Sequence, residues 1–230
     1  RVMSATNFPL ILSQLVSQSP HEAFAVIEKL RKENLGMFLF EMANQMVAEN
    51  IPSNQRQMAA LVIKNSVVGP SPQATDELYK LWLSIPSQQR DLIKQLLIQG
   101  LSLSNFEARS SASQVVGQIG ARELYHGQWT DLIGILVGNM ATGSPVVKEG
   151  TLNALGVLCE EIPTGILEAK SNEILTAIIS GTTSGLPIEV HRAAIKALLG
   201  ALSFVGHHFE QQVHRDYIMN VIVSSAKSAD

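Results

Sequence analysis

Histidines are the side chains in this sequence best suited to hold a metal ion. The six are His21, His126, His191, His207, His208 and His214. A metal site needs three or four ligands that converge on one point. His207, His208 and His214 are close in sequence, but neighbouring residues on a helix or its leading loop point in different directions. We therefore expect no metal site and interpret these histidines as a solvated helix start.

Other reactive side chains give equally weak signals. Glu160 and Glu161 could suggest general acid–base chemistry, but that chemistry needs a cleft and a partner, so a solvated helix end is the simpler interpretation. Cys159 is the single cysteine and lies in the apolar run GVLC, where a reduced, buried thiol behaves as a small hydrophobic residue. The motifs GxGxxG, GxxxxGKS/T, HExxH and GxSxG do not occur. We expect a protein that is not an enzyme, with no catalytic residues and no cofactor.

Composition narrows the class of protein. The 230 residues are 46% hydrophobic and 16% charged, which suits one large or two small globular domains. The net charge of −3 and the lack of lysine or arginine clusters argue against nucleic-acid binding. No apolar run approaches the ~20 residues that cross a bilayer, and no signal segment opens the chain. We expect a soluble intracellular protein without membrane contact. Its start at Arg1 is consistent with a fragment of a longer protein.

One pattern recurs four times: an acidic residue followed by apolar residues one, two, five and six positions later. The copies are Asp91 with Leu92, Ile93, Leu96 and Leu97; Asp131 with Leu132, Ile133, Leu136 and Val137; Glu173 with Ile174, Leu175, Ile178 and Ile179; and Asp216 with Tyr217, Ile218, Val221 and Ile222. This spacing makes one stripe on an α-helix but falls on both faces of a strand. The copies begin 40 to 43 residues apart, so we predict a helical array.

Turn residues and apolar spacing predict twelve helices. They cover residues 8–16, 20–34, 35–47, 52–68, 75–83, 88–103, 105–124, 128–140, 145–162, 168–181, 187–205 and 209–225. Residues 69–86 are predicted to be an insertion with a short extra helix. Gly117, Gly156 and Gly200 recur within the second helices of the later pairs. Glycine costs a helix about 1 kcal/mol relative to alanine, so this recurrence predicts close helix approach.

Helix pairs repeated at about 40 residues are typical of HEAT or armadillo solenoids, and two helices per unit favour HEAT. We predict an all-α, right-handed superhelical HEAT-repeat solenoid of about five to six repeats that occupies residues 1–230 as a single array. The final helix, 209–225, lacks its partner and should expose apolar residues and be the most labile. Solenoids act mainly by offering surfaces to partners, which favours a binding protein.

Several segments resemble the N-terminal region of the importin-β (karyopherin-β) family of nuclear import receptors. They are SNEILTAII (171–179), IKNS (63–66), SSASQ (110–114), ENL (33–35), KEGTLNALG (148–156) and YIM (217–219). The similarity extends from about Phe8 to Ser225, and SNEILTAII is its most specific segment.

The resemblance implies that the second helix of each repeat lines a concave face, where the first repeats bind Ran in its GTP state. Lys64 and Asn65 match that region and are the implied Ran-binding residues. The alternative is that Lys64 is a positive charge that complements the dipole of its own helix. Importin-α or other cargo would bind only through later repeats that are absent here.

The resemblance also implies that the outer surface binds Phe-Gly repeats of nucleoporins in a shallow pocket between first helices. The implied pocket residues are Leu175, Thr176, Ile179, Tyr217 and Ile218, with His214 at the rim. Tyr217 stands where phenylalanine is usual in the family, and His214 where an acid is usual. We expect Leu175 and Ile179 to be at least partly exposed in this pocket; the alternative is that both are simply core residues.

The implied function is that of a nuclear import receptor fragment, which would work in the cytoplasm and nucleus and at the nuclear pore and envelope. The alternative is a HEAT-repeat scaffold subunit of another multiprotein complex.

Overall fold

The structure is a computed structural model, and it describes residues 6–17, 20–163, 165–202 and 212–227. Across these ranges it contains twelve α-helices and no strand. The helices are α1 Phe8–Leu15, α2 His21–Glu33, α3 Leu35–Val47, α4 Ser53–Asn65, α5 Pro72–Leu83, α6 Ser87–Gly100, α7 Phe106–Tyr125, α8 Leu132–Thr142, α9 Pro145–Glu161, α10 Ser171–Ser180, α11 Ile188–Ala201 and α12 Gln212–Lys227. The predicted all-α class is confirmed. None of the helices in these ranges is long and apolar enough to cross a membrane.

The chain divides into two compact units, Arg1–Ile119 and Gly120–Asp230, with the boundary inside α7. In the first unit α3 packs against α4 and α6, and α1 packs against α2 and α4. The core of α3 is fully buried: Phe38, Leu39, Met42 and Met46. The extra helix α5 lies within the predicted insertion and contacts α3. That residues 1–230 form a single array stays a prediction.

In the second unit, the first helices of successive hairpins pack against each other, and so do the second helices. The hairpins are α8–α9 and α10–α11; α8 packs against α10, and α9 packs against α11 over the most extensive interface between two helices. The last helix, α12, makes a smaller contact with α11. This arrangement, in which each helix pair stacks on the next, is the packing expected of a helical repeat.

The close approach predicted from recurrent glycines is found between α9 and α11. A Cβ atom added at Gly200 would lie 2.7 Å from the carbonyl oxygen of Gly156, and one added at Gly156 would lie 3.2 Å from the Cα of Ala197. Neither position has room for a methyl group unless the backbone moves. Gly117 of α7 is buried as well.

A basic residue at the fourth position of a helix fastens that helix to a carbonyl earlier in the chain. The hydrogen bonds are Arg56 Nε to Met46 O at 3.0 Å, Arg90 Nε to Ile85 O at 3.2 Å, Arg109 Nη1 to Leu103 O at 2.6 Å and His191 Nε2 to Thr183 O at 3.0 Å. The three arginines are buried. Because an unbonded buried charge is costly, loss of the bond made by any of these three arginines should be destabilising.

Among the helix starts that differ from the sequence prediction are those of α2 and α8. Pro20 precedes α2 instead of opening it, and no side chain caps this helix start. Helix α8 begins at Leu132, four residues later than predicted, because residues 126–131 form a turn in which Trp129 has a positive φ of 48°.

Candidate functional site

The candidate site is organised around α10, whose two faces differ in polarity. Its apolar stripe, Ile174, Leu175, Ala177, Ile178 and Ile179, is buried. Its other face exposes Asn172, Glu173, Thr176 and Ser180. A 3-10 turn, Glu168–Lys170, leads into the helix, and the Lys170 ammonium lies 2.9 Å from the Glu173 carboxylate. The negative charge of Glu173 in the first turn also stabilises the helix through the dipole.

A cleft with a volume of about 450 Å³ lies between α10 and α12. Five residues predicted from the sequence line it: Leu175, Thr176, Ile179, Tyr217 and Ile218. The side chain of the sixth, His214, lies outside the described part of the chain. The structure therefore brings together predicted residues of α10 and α12 that are 38 (217−179) to 43 (218−175) positions apart in the sequence. We call this surface the α10–α12 cleft.

The five residues contribute differently to this cleft. Tyr217 is 57% exposed, whereas Leu175 and Ile179 are 7% exposed and Ile218 is 1% exposed. Leu175 and Ile179 are thus mostly core residues, as the alternative proposed, although both also line the cleft. The tyrosine ring is the accessible wall, and the aliphatic side chains are the floor.

The remaining lining residues of the α10–α12 cleft are Asn172, Ser180 and Thr183. None of the eight described residues that line it carries a charge. Such a surface suits an uncharged apolar side chain, and the amide and hydroxyl groups around it can bond the backbone of a bound peptide.

A second cleft, which the sequence reasoning missed, lies on the other side of α10. It has a volume of about 790 Å³ and is lined by Val137, Met140 and Ala141 of α8, by Lys148 of α9 and by the loop 183–186. We call it the α8–α10 cleft. Four residues line both clefts: Asn172, Thr176, Ser180 and Thr183. The recurrence of a basic residue at the fourth helical position would have drawn attention to Lys148.

Lys64 and Asn65 lie at the C-terminal end of α4, in the first unit, and line neither cleft. Lys64 is half-buried and Asn65 is exposed. The Lys64 ammonium makes no ion pair within the described ranges. Its place in the last turn is favourable to the helix dipole, so that contribution of Lys64 holds whether or not it binds a partner.

The reactive side chains behave as structural groups. Burial raises the pKa of the Cys159 thiol to about 12, and the neighbouring Glu160 carboxylate adds to this effect; the interpretation of Cys159 as a buried hydrophobic residue is confirmed. Glu160 and Glu161 are exposed at the end of α9. Burial and the positive charge of Arg122 lower the pKa of His126. Within the described residues no group of three His, Cys, Asp or Glu side chains is placed to hold a metal ion.

Comparisons with known proteins place this architecture in a family. The model of the importin-beta N-terminal domain matches residues 27–102. Importin subunit beta-1 of Schizosaccharomyces pombe is 32% identical over 206 residues, which are 89% of this chain and 24% of the relative. The chain therefore spans about a quarter of the length of this curated relative.

Solved structures agree in fold. The structure of a Kap95–Nup1 complex superposes with a TM-score of 0.86 at 28% identity. The match covers 97% of this chain and 27% of the matched chain. A structure of Kap95p, the yeast importin-β, with RanGDP gives a TM-score of 0.90 at 28% identity over the same shares. The predicted HEAT-repeat class is thereby confirmed. The sequence and structural comparisons together show that the chain belongs to the importin-β family of nuclear transport receptors, which are not enzymes.

Proposed function

We propose that this chain is the N-terminal part of a nuclear import receptor that binds Phe-Gly repeats of nucleoporins in the α10–α12 cleft and Ran-GTP through a surface that includes Lys64 and Asn65. Such a receptor would move between cytoplasm and nucleus through the nuclear pore. It would hold importin-α or other cargo through repeats beyond this chain. No observation favours the scaffold alternative over membership of a receptor family.

The observation that carries the nucleoporin proposal is the composition of the α10–α12 cleft. Its volume of about 450 Å³ is enough for an aromatic ring, and Tyr217 offers an exposed ring for edge or face contact. The absence of charge among the described residues that line it favours a neutral, apolar partner. Kap95, which is similar to this chain, forms a complex with Nup1, a nucleoporin.

Peptide titration of a Tyr217 series tests this site. We expect a short Phe-Gly repeat peptide to bind weakly and saturably by calorimetry or NMR. Tyr217→Ala should weaken that binding roughly two- to ten-fold, the range for loss of one aromatic contact, whereas Tyr217→Phe should retain it. Tyr217 is exposed, so its substitution should leave the fold intact. Ile179→Asp is a less suitable variant because it would bury a carboxylate.

Tyr125→Ala is the matched control because Tyr125 is also an exposed tyrosine of the second unit but lines neither cleft. Equal peptide affinities for the unaltered chain, Tyr217→Ala and Tyr125→Ala would refute the α10–α12 cleft as the binding site. Absence of any binding to the unaltered chain would refute the proposal for this chain.

Ran binding is tested by a substitution that removes the positive charge of Lys64. Lys64→Gln should weaken binding of Ran loaded with a non-hydrolysable GTP analogue about two- to five-fold, the worth of one exposed ion pair. Lys32→Gln is the control, since Lys32 is also a lysine in the last turn of its helix. Indistinguishable affinities of the two variants would remove Lys64 from the Ran surface. Kap95p with RanGDP is the structural precedent among similar proteins.

A further inference from the structure

The two clefts lie on opposite sides of one helix and share four lining residues. Resting on the function proposed above, we propose that one extended peptide occupies both clefts by crossing α10. Its apolar side chain enters the α10–α12 cleft, and an acidic residue beside a second apolar residue enters the α8–α10 cleft. The crossing runs over Asn172, Thr176 and Ser180, which are exposed and short.

Lys148 supplies the charge that selects the acidic residue. It is the fourth residue of α9. At the fourth position of their helices, Arg56, Arg90, Arg109 and His191 are bonded to a carbonyl that precedes the helix in the chain. The Lys148 ammonium instead has no hydrogen bond or ion pair in the described part of the chain, and the side chain is half-exposed and lines the α8–α10 cleft.

The other charge among the described residues of the α8–α10 cleft is already paired. Glu173 lines this cleft, but its carboxylate is 2.9 Å from the Lys170 ammonium. The uncompensated charge of the cleft is therefore positive. Val137, Met140 and Leu186 provide apolar surface in the same cleft, so the complementary group is a carboxylate next to an aliphatic side chain.

The width of α10 sets the spacing of the two apolar residues. A helix with its side chains is roughly 10–12 Å across, and an extended chain advances roughly 3.3–3.6 Å per residue. The residues that enter the two clefts must therefore be about three to four positions apart in the peptide. A Phe-Gly unit alone fills one cleft, so the surrounding sequence of the partner determines whether the other is used.

A pair of peptides tests the inference. The first has a central Phe-Gly unit with an Asp-Leu pair four residues away on each side, so that either chain direction suits; the second replaces both Asp-Leu pairs by Ser-Ser. We expect the first to bind the unaltered chain about ten-fold more tightly, because its second contact is intramolecular. Lys148→Glu should remove most of this gain while leaving the affinity of the Ser-Ser peptide unchanged.

Lys148→Glu should fold normally because an acidic residue in the first turns of α9 complements the helix dipole. Lys148→Gln should lower the affinity for the Asp-Leu peptide by about five-fold or less, as expected for the loss of one exposed charge pair. Equal affinities of the two peptides for the unaltered chain would overturn the bridging inference and leave the α10–α12 site standing. An Asp-Leu advantage that persists in Lys148→Glu would overturn the role of Lys148. Failure of both peptides to bind would overturn the proposed function and the inference with it.

Discussion

Replacing Gly200 by alanine measures how closely α9 and α11 approach each other. The new methyl carbon would lie 2.7 Å from the Gly156 carbonyl oxygen, whereas ordinary van der Waals contact begins at 3.4 Å. The two helices must therefore separate locally by roughly 0.7 Å, or the backbone must shift by that amount. The atom that blocks the methyl belongs to the backbone of the partner helix, so no side-chain rotation relieves the contact.

The expected cost follows from two opposing effects. Overpacking of a well-packed interface costs about 1–3 kcal/mol, and alanine in place of glycine returns less than about 1 kcal/mol near the end of a helix. Gly200→Ala should thus lose about 1–2 kcal/mol. Gly134→Ala in α8 is the matched control, because nothing lies within 4 Å of the added methyl carbon; it should gain up to about 1 kcal/mol.

Thermal unfolding followed by circular dichroism separates the two variants. For chains of this size 1 kcal/mol shifts Tm by about 2–4 °C, so Gly200→Ala should unfold roughly 2–8 °C below the unaltered chain and Gly134→Ala at or above it. Both positions belong to the unit Gly120–Asp230, so the same transition is compared. A Tm for Gly200→Ala that equals or exceeds that of Gly134→Ala would refute the argument that α9 and α11 have no room for a methyl group at their contact.

Three further predictions concern single groups and one helix. The His126 imidazole should titrate by NMR below its ordinary pKa of 6.5, and stability should fall as pH drops below 6.5; Arg122→Gln should raise that pKa, and titration at or above 6.5 in the unaltered chain would contradict the stated cause. Cys159, buried with a pKa of about 12, should react with a thiol reagent at pH 8 only after unfolding; rapid labelling of the folded chain would show that it is accessible. Amides of α12 should exchange faster than those of α8, because Tyr217, Met219 and Val223 of α12 are exposed and its packing on α11 is limited; equal protection would contradict this.

Regular elements were predictable where apolar spacing and turn residues agree. Helix α3 has the bounds predicted for it, Leu35–Val47. Helix α5 starts three residues earlier than predicted, because the Ser71 side chain accepts a hydrogen bond from the Ala74 amide and Pro72 opens the helix. The late start of α8 depends on the positive φ of Trp129. Tryptophan rarely adopts this conformation, so the sequence does not predict it.

The resemblance predicted which residues line the α10–α12 cleft, but not how deeply each of them is buried. The resemblance brought Leu175 and Tyr217 to one pocket, and both line the α10–α12 cleft. Their unequal exposure depends on how α10 packs against its neighbours, which residue spacing alone does not determine. The α8–α10 cleft was missed because Lys148 reads as an ordinary surface lysine until its position is compared with Arg56 and Arg109.

The bonds from the fourth helical residues reach carbonyls no more than ten residues earlier in the chain. Each of these bonds therefore closes a turn within one short segment of the chain. A gene duplication that copies one helix pair copies its fastening too. An array that gains or loses such units during evolution would keep these bonds in the units that remain.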